Sequence, residues 1–306
     1  MQTRRDFLRR TSYASAGMAL ASFGARPAQA ALSGQWGVQL YTVREQLPKK
    51  PAETLKAIAA LGYREVETLR PFLDLMPYVK EAGLSAPACH IEAPLVTGDW
   101  TAWKSMADAM KVPAASFSID NAIADAKKHG IRFLTVSYLM PEERTTLDFF
   151  KKFADAMNKA GAKCAAAGIT LCYHHHSFEF ASLEGAVPMD VLVERFDKKL
   201  VGFELDVFWL SIAGQDPVKF IQKLGPRVHL LHLKDKAKGT PNELQERNVK
   251  AEAFAEVGSG VVDFPGILAA AKKAGVSHAF VEQDQTPGDP LDSLKKSIGY
   301  LKTLKV

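Results

Sequence analysis

Eight short apolar segments, each followed by a longer stretch of helical character, run along the chain between residues 36 and 304. The apolar segments cover residues 36–41, 64–67, 84–90, 131–137, 169–174, 201–206, 228–232 and 279–282. Strands that alternate with helices form parallel sheets, because each helix returns the chain to the starting edge of the sheet. The pattern therefore predicts an α/β fold, built either as a closed eight-stranded barrel or as an open, doubly wound sheet.

Proline and glycine mark the predicted helix boundaries. Pro51 begins one helix and Gly62 ends it, while Asp216 and Pro217 begin another that ends at Gly225. Further helices are predicted over residues 141–167, 264–274 and 290–304.

The segment after the first strand decides between the two architectures. An open sheet usually carries a glycine-rich phosphate turn there, but residues 41–44 (Tyr-Thr-Val-Arg) contain no glycine. The number of strand-helix units also favours the barrel, so the sequence predicts a single (β/α)8 TIM-barrel domain over residues 31–306. The longest loop, residues 236–252 after the seventh strand, is predicted to form a lid or a rim.

The first thirty residues have the order of features expected of an export signal. Arg4 and Arg5 precede a run of small and apolar residues at 13–25, and an A-x-A cleavage sequence ends at Ala30. The paired arginines resemble a twin-arginine signal, which a receptor reads and which is not a membrane anchor. We therefore expect a signal peptide over residues 1–30 and a periplasmic mature protein.

The basic excess of the chain lies mainly in this leader. The sequence has 39 basic and 34 acidic residues, of which the leader holds five and one, so the remainder has a net charge of +1. This charge gives no electrostatic reason to expect nucleic acid binding, and no other segment is long and apolar enough to span a membrane. We expect a small-molecule partner, and the sequence leaves formation of a homo-oligomer open.

Most of the predicted strands end in side chains that bind metals or transfer protons. In strand order these are Glu65 and Glu67, His90, His174 to His176, Glu204 and Asp206, His232 with Lys234 and Asp235, and Glu282 to Asp284. In a barrel the carboxyl ends of all strands meet on one face, where barrel enzymes carry out their chemistry. Alternate residues share one face of a strand, so His175 and His229 are expected to pack away from this site.

Four of these residues, on strands five to eight, are predicted to hold one divalent metal ion: His174, Asp206, His232 and Glu282. Imidazole and carboxylate ligands without thiolates suit Mn, Mg, Co, Zn or Fe(II). Such an ion can polarise the carbonyl of a sugar and stabilise the enediolate that forms when a neighbouring proton is removed.

Single residues in this set have other interpretations that the sequence leaves open. Asp206 can cap the following helix, and Lys234 can form an ion pair with Asp206 or Asp235. Glu65 and Glu67 can bind substrate hydroxyls or face solvent.

Seven motifs along the chain resemble those of the xylose isomerase-like TIM-barrel superfamily, the group of sugar phosphate isomerases and epimerases. They are WGVQLYTVR at 36–44, YHHHSFEF at 173–180, FELDVFW at 203–209, AGQDP at 213–217, HLKD at 232–235, VGSGVVDF at 257–264 and VEQD at 281–284. The resemblance implies that Asp206, His232 and Glu282 are metal ligands and that Glu282 also transfers a proton.

The fifth strand departs from the pattern of this superfamily. Its keto-sugar epimerases have a glutamate there, which is both a ligand and the second proton carrier, whereas this chain has His174. For a two-base epimerisation, His176 or Glu179 would have to supply the second base.

The resemblance implies a metal-dependent isomerase or epimerase acting on a keto-sugar or related polyol. The missing glutamate leaves open a lyase, dehydratase or hydratase of 3-keto-glycosides or inososes, in which Lys234 and His90 hold or protonate the leaving oxygen. Substrate contacts are expected from Glu67, His90, Glu204 and Trp209.

A non-catalytic, exported sugar-binding barrel is the third alternative. A nuclease related to this superfamily is disfavoured by the near-neutral charge of the mature chain. Gly258 and Gly260 could form a phosphate site, but a turn that needs a positive φ explains them more simply, so we expect an unphosphorylated substrate.

Overall fold

A computed structural model describes residues 32, 34–105, 108 and 118–304. The predicted signal peptide, residues 1–30, lies outside the described residues. Eight parallel strands close into a barrel: β1 (Gly37–Gln39), β2 (Glu65–Leu69), β3 (Ser85–Ile91), β4 (Phe133–Val136), β5 (Thr170–His174), β6 (Val201–Asp206), β7 (Val228–Leu233) and β8 (His278–Val281). Strand β1 pairs with both β2 and β8. The predicted (β/α)8 barrel is confirmed.

Helices connect the strands around the outside of the barrel. In the described part of the chain they are α1 (Pro51–Leu61), α2 (Met76–Glu81), α3 (Pro94–Thr97), α4 (Ile119–His129), α5 (Leu147–Ala166), α6 (Pro188–Arg195), α7 (Val207–Ile212), α8 (Pro217–Leu224), α9 (Phe264–Ala274) and α10 (Pro290–Leu301). Short 3-10 turns and a two-stranded ribbon, Asp235–Lys236 against Phe254–Ala255, complete the connections.

The predicted helix boundaries are confirmed where proline and glycine define them, and they differ from the structure where another residue caps the helix. Gly62 ends α1 with a φ of +107°, a conformation that favours glycine. Helix α5 begins at Leu147 and not at residue 141, because the Thr146 hydroxyl accepts a hydrogen bond from the Phe149 N–H at 3.2 Å and caps the helix there. Helix α10 ends at Leu301, three residues before the predicted end.

The interior of the barrel is apolar in its middle and polar at both ends. One buried layer consists of Ala88, Phe133, Cys172, Leu230 and Phe280. On β8 the side chains of His278, Phe280 and Glu282 follow one another on the same face, so this layer separates the two polar ends.

A larger core fills the space between the barrel and the helices. Phe150, Phe153 and Met157 on one stripe of α5 are buried, and the Phe153 ring lies 5.5 Å from that of Tyr173 on β5. Burying each of these side chains contributes about 2 kcal/mol, which fixes the helix against its strand. None of the helices in the described ranges has the length and apolar character needed to cross a membrane.

Candidate metal centre

Three side chains meet at the carboxyl end of the barrel, on adjacent strands. Asp206 is the last residue of β6, His232 lies on β7, and Glu282 follows β8. The His232 Nδ1 atom lies 2.8 Å from Glu282 Oε2 and 3.7 Å from Asp206 Oδ2, and all three side chains are buried. This group, which we call the triad, offers one imidazole nitrogen and two carboxylate oxygens at spacings that fit one metal ion.

The unsatisfied atoms of the triad point towards its centre. Among the described residues, neither Asp206 Oδ2 nor His232 Nδ1 makes a hydrogen bond of favourable geometry, although both are buried and lie 3.1 Å from Lys234 Nζ and 2.8 Å from Glu282 Oε2, respectively. Buried polar atoms are rarely left unpaired, so a ligand is expected at this position. The other oxygen, Asp206 Oδ1, accepts hydrogen bonds from the N–H groups of Phe208 and Trp209 at 2.9 Å and caps α7. Asp206 therefore caps the helix and also presents an oxygen to the triad.

His174, the fourth predicted ligand, lies at the edge of the triad. Its Nε2 atom is 3.9 Å from Asp206 Oδ2, and its ring centroid is 4.6 Å from that of His232. Its Nδ1 atom faces Glu204 Oε2 at 3.4 Å. Burial and the neighbouring charge of His232 lower the pKa of His174 to about 4, so the imidazole is neutral at neutral pH and able to ligate.

A network of buried carboxylates and imidazoles lies beneath the triad. Glu67 Oε2 is 2.6 Å from His232 Nε2, 3.2 Å from His90 Nε2 and accepts a hydrogen bond from Gln39 at 2.8 Å. His90 Nε2 also lies 2.7 Å from Glu204 Oε2. A carboxylate on the far nitrogen of an imidazole orients the ring and leaves the near nitrogen free for a metal, as Glu67 does for His232.

The network beneath the triad contains three residues that the sequence suggested for substrate binding: Glu67, His90 and Glu204. The side chains of Glu67 and Glu204 are fully buried and bonded to imidazoles, and His90 lies between them. Burial alone would lower the pKa of His90, but Glu67 and Glu204 raise it to about 9. The three residues therefore form a charged support under the triad.

The electrostatic field at the triad favours positive charge. Burial alone would raise the pKa values of Asp206 and Glu282, but Lys234 and His232 hold both well below their ordinary range. Burial would likewise lower the pKa of His232, yet Glu204 and Glu282 raise it well above its usual value. A cation at His232 is thus favoured, whether it is a proton or a metal ion.

Lys234 is buried beside the triad. Its Nζ atom lies 2.7 Å from Glu282 Oε2, 3.1 Å from Asp206 Oδ2 and 2.9 Å from Asp284 Oδ2. Of the two ion pairs that the sequence left open, the one with Asp206 is formed. Asp284, which the sequence places on the same strand face as Glu282, therefore lies at the same site, although it was not among the predicted site residues.

Asp235 points away from the triad and holds a different part of the chain. Its carboxylate accepts hydrogen bonds from the N–H groups of Lys236, Gly258, Gly260 and Val262 at 2.8–3.0 Å. Gly258 has a φ of +89°, and a Cβ on Gly260 would lie 2.2 Å from the Lys236 carbonyl oxygen. Because a carboxylate of the chain takes these amides, the turn interpretation of the two glycines is favoured over a phosphate site.

Two of the remaining candidates line the mouth of the barrel. The ring of His176 lies 5.0 Å from that of His174 and 5.1 Å from that of Trp209, and Lys234 Nζ lies 5.6 Å from the Trp209 ring. The Nδ1 atom of His176 and the Nε1 atom of Trp209 are buried without a hydrogen-bond partner in the described part of the chain. Both side chains therefore present unpaired polar atoms close to the triad.

Glu179, the other candidate base, is directed elsewhere. It accepts hydrogen bonds from the Tyr173 hydroxyl at 2.6 Å and from the His176 backbone N–H at 2.9 Å. Tyr173 lies on the face of β5 opposite to His174 and packs against the outer core. Burial raises the pKa of Glu179 to about 7, and the carboxyl fixes the β5 loop from outside the barrel.

Glu65 was expected at the carboxyl end and is found at the other. It is the first residue of β2, and its Oε2 atom lies 2.7 Å from Nδ1 of His278, the first residue of β8. Neither Glu65 nor Glu67 faces solvent, because both side chains are buried. The two residues share a strand face, but Glu65 begins β2 and Glu67 lies in its middle. The predicted segment ended at residue 67, two residues before the end of β2, so both glutamates were placed too close to the carboxyl end.

The long loop after β7 reaches across the mouth of the barrel. Glu246 on this loop accepts a hydrogen bond from the Tyr138 hydroxyl at 2.7 Å and forms an ion pair with Arg144, both of which follow β4. Arg144 lies over the Phe178 ring, 3.3 Å from its centroid. The loop therefore covers part of the rim, as predicted, but its partners have no signal in the sequence.

A family model described as a xylose isomerase-like TIM barrel matches residues 55–304. The chain belongs to this family. The matched range includes the three triad residues of this xylose isomerase-like barrel, as well as Lys234 and His174.

Several named proteins are similar to this xylose isomerase-like chain in sequence or in structure. The inosose dehydratase of Geobacillus thermodenitrificans is 30% identical over 157 residues, which cover 48% of this chain and 52% of that protein. The chain thus matches about half the length of these curated relatives. A sugar phosphate isomerase/epimerase from Parabacteroides distasonis has a TM-score of 0.71 at 24% identity and covers 88% of this chain and 98% of its own.

A third relative was solved with a metal. The crystal structure of the IOLI protein with a bound zinc atom has a TM-score of 0.64 at 16% identity and covers 87% of this chain and 97% of its own. At such identities, the likeness to solved structures shows the fold alone.

Proposed function

We propose that this xylose isomerase-like barrel is a divalent-metal-dependent lyase that removes water or another leaving group from a cyclic polyhydroxy ketone, such as a keto-sugar or an inosose. One observation carries the proposal. Lys234 Nζ lies 2.7 Å from Glu282 Oε2, so an ammonium acid and a carboxylate base stand side by side at the triad.

The donor set fits a divalent ion. Asp206, His232 and Glu282 would hold it. His174, whose Nε2 atom lies 3.9 Å from Asp206 Oδ2, would be the fourth ligand, and mixed nitrogen and oxygen donors suit Mn, Mg, Co, Zn or Fe(II). When bound, such an ion supplies Lewis acidity that polarises the substrate carbonyl and stabilises the enediolate.

The side chains of the chain supply the proton transfers. Glu282 takes the proton from the carbon next to the carbonyl, and the electron pair of that C–H bond forms the new C=C bond. The C–O bond at the neighbouring carbon breaks, and Lys234 donates a proton to the departing oxygen. After the product leaves, the proton that Glu282 has taken replaces the one that Lys234 has given, which restores both groups for the next turnover.

An isomerase or epimerase remains the second candidate, and one observation favours it. His176 Nδ1 is buried without a hydrogen-bond partner among the described residues, and burial lowers the pKa of this imidazole well below its usual value. A neutral imidazole beside the site can act as the second base. Glu179, the other candidate for this role, is engaged by Tyr173.

The inosose dehydratase relatives support the lyase, although the match covers only about half the length of each of these relatives. We also propose that the enzyme acts in the periplasm, on the basis of the paired arginines and cleavage sequence of its leader. An unphosphorylated substrate is supported by Asp235, whose carboxylate takes the backbone amides that a phosphate would need.

An NMR assay in D2O with Mn²⁺ or Co²⁺ tests the proposal over keto-sugars, inososes and 3-keto-glucosides. A lyase releases the leaving group and gives an unsaturated ketone, whereas an epimerase returns substrate with deuterium next to the carbonyl. Binding of a sugar without turnover would instead indicate a non-catalytic barrel. A protein that binds no metal and does not respond to added Mn²⁺ or Co²⁺ would contradict the metal-dependent mechanism.

The His174→Glu variant separates the two reactions further. It restores the glutamate found in the epimerases that the chain resembles. Gain of deuterium exchange without elimination would favour the two-base reaction, whereas loss of turnover with the metal still bound would assign His174 a chemical role of its own.

A further inference from the structure

The ammonium of Lys234 contacts the two carboxylate oxygens that a metal ion in the triad would need. Asp206 Oδ2 and Glu282 Oε2 are the oxygens that face His232 Nδ1, at 3.7 and 2.8 Å. The same two atoms lie 3.1 and 2.7 Å from Lys234 Nζ. A lysine and a divalent ion therefore compete for one pair of oxygens.

We propose that Lys234 is a built-in counter-cation of the triad, which neutralises Asp206 and Glu282 while no divalent ion is bound and shifts to Asp284 when one binds. The inference rests on the proposed metal site, and it goes beyond that site because it couples metal loading to the position of the acid. It assigns Asp284 a role as the residue that receives the lysine.

The charges of this group balance when both cations are present. Three carboxylates, those of Asp206, Glu282 and Asp284, lie within 3.1 Å of Lys234 Nζ. One ammonium and one divalent ion together carry three positive charges and balance these three carboxylates, whereas the ammonium alone balances one of them. Buried charges are stable only when they are paired, so the group is built for a lysine and a divalent ion together.

The lysine needs to move only a short distance. Asp284 Oδ2 already lies 2.9 Å from Nζ, and the Asp284 side chain is 21% exposed whereas that of Lys234 is 2% exposed. The backbone oxygen of Asp284 accepts a hydrogen bond from Arg44 at 3.0 Å, which anchors the turn after β8. The shift takes the ammonium towards the mouth of the barrel, where the leaving group of a substrate would lie.

The alternative is that Lys234 is a fixed prop that positions the two carboxylates for the metal. The two roles predict opposite effects of removing the lysine. A competing cation weakens metal binding, so its removal must strengthen it. A prop helps metal binding, so its removal must weaken it.

Calorimetric titration of the full chain with Mn²⁺, and separately with Zn²⁺, distinguishes these roles. We expect Lys234→Met to bind metal about tenfold or more tightly than the wild type. Lys236→Met is the matched control, because Lys236 is also a buried lysine but donates to Ser211 O and Asn242 Oδ1, away from the triad. The control should change the metal affinity by less than about twofold. Lys234→Gln, which retains a hydrogen-bond donor, provides a second test if the methionine variant does not fold.

Asp284→Asn tests the second position of the lysine. In the wild-type background, the substitution should weaken metal binding by about tenfold, because Lys234 loses the partner to which it shifts. In the Lys234→Met background the same substitution should have little effect. An equal loss in both backgrounds would show that Asp284 acts on the metal by its own charge, which would overturn its assigned role.

The outcomes separate this inference from the proposed function. If the wild type binds metal and Lys234→Met binds it equally or less tightly, the counter-cation role is wrong while the metal site stands. If Lys234→Met gains metal affinity but loses turnover, both proposals stand, because removal of a lysine that only positions the carboxylates would lower the metal affinity as well as the turnover. If only Lys234→Met binds metal, the lysine holds the site by itself and the proposed metal-dependent function fails. If neither protein binds metal, both proposals fail.

Discussion

The two ends of the barrel contain the same kinds of side chain and use them differently. At the amino end, His278 lies 2.7 Å from both Glu65 Oε2 and an Arg132 nitrogen, so both of its ring nitrogens are engaged. At the carboxyl end, Asp206 Oδ2 and His232 Nδ1 lie close to Lys234 and Glu282, but neither atom makes a hydrogen bond of favourable geometry in the described part of the protein. Glutamate and histidine alone therefore do not identify a site.

The comparison teaches that hydrogen-bond saturation distinguishes a structural cluster from a functional one. The hydrogen bonds of the amino end are completed within the fold, whereas the carboxyl end keeps atoms that can still bind a ligand. The apolar layer that includes Phe133, Leu230 and Phe280 separates them, so changes at one end should have little effect at the other.

The largest expected effect comes from removing one charge at the carboxyl end. Asp206→Asn keeps an oxygen that can cap α7 but weakens the metal site, so we expect kcat/KM to fall by about 10³-fold, or roughly 4 kcal/mol. Glu65→Gln, the equivalent change at the amino end, should leave kcat/KM within about twofold. Steady-state kinetics of both purified variants measure this. Equal losses would show that the two ends are not independent.

The next effect is on stability and belongs to the amino end. His278→Ala leaves the buried Glu65 carboxylate without its partner, which should lower the free energy of unfolding by about 3 kcal/mol. Urea denaturation monitored by circular dichroism provides the measurement. The folded variant should bind metal as the wild type does, and a change in metal affinity would contradict the separation of the two ends.

Metal binding should stabilise the protein through the carboxyl end alone. At a free concentration of about 100 times its Kd, Mn²⁺ should raise the free energy of unfolding by about 2.7 kcal/mol in the wild type. The same increase is expected in His278→Ala, and a much smaller one in Asp206→Asn. Thermal unfolding with and without a chelator tests this, and a smaller increase in His278→Ala would show coupling across the apolar layer.

The smallest effect concerns Glu179, a buried carboxyl that serves structure although it lies near the carboxyl end. Its pKa is about 7 in the folded protein and lower when it is unfolded and exposed to water, so the folded state retains its proton longer. The contribution of Glu179 to stability is therefore full below about pH 4.5 and declines, by about 1 kcal/mol for each pH unit, as the pH rises to about 7. In Glu179→Gln this decline should be absent.

Urea denaturation of both proteins between about pH 4.5 and 8 measures the decline. The amide retains an acceptor for the Tyr173 hydroxyl, so Glu179→Gln should fold and keep most of its turnover. A loss of turnover comparable to that of Asp206→Asn would place Glu179 in the reaction and not in the outer support.

The sequence predicts much of the fold because its signals are local and periodic. Alternating segments define the eight strands, and Pro51, Gly62 and Gly225 define helix ends through backbone conformation. The start of α5 was missed because the Thr146 side chain caps the helix there, and apolar spacing does not show which residue acts as the cap.

The candidate site is predictable in part for the same reason. Strand periodicity places Asp206, His232 and Glu282 at one end, and the structure brings them together. Periodicity does not give the depth of a residue along the barrel, so Glu65 was expected at the wrong end, and Glu67 was expected to contact substrate although it lies beneath the triad. The hydrogen bond between Glu246 and Tyr138 depends on the conformation of the long loop, which no periodic pattern in the sequence predicts.

Asp235 has a consequence for how this protein can diversify. Its backbone pairs with Ala255, and its carboxylate holds Gly258, Gly260 and Val262, so the long loop leaves the barrel through a closed neck. Doubling the length of a loop whose ends are already joined costs only about 0.6 kcal/mol. The segment between the two paired strands, residues 237–253, can thus change in length and sequence without opening the barrel. Evolution, or a protein engineer, can rewrite it to admit a different substrate while the lysine next to Asp235 stays in place.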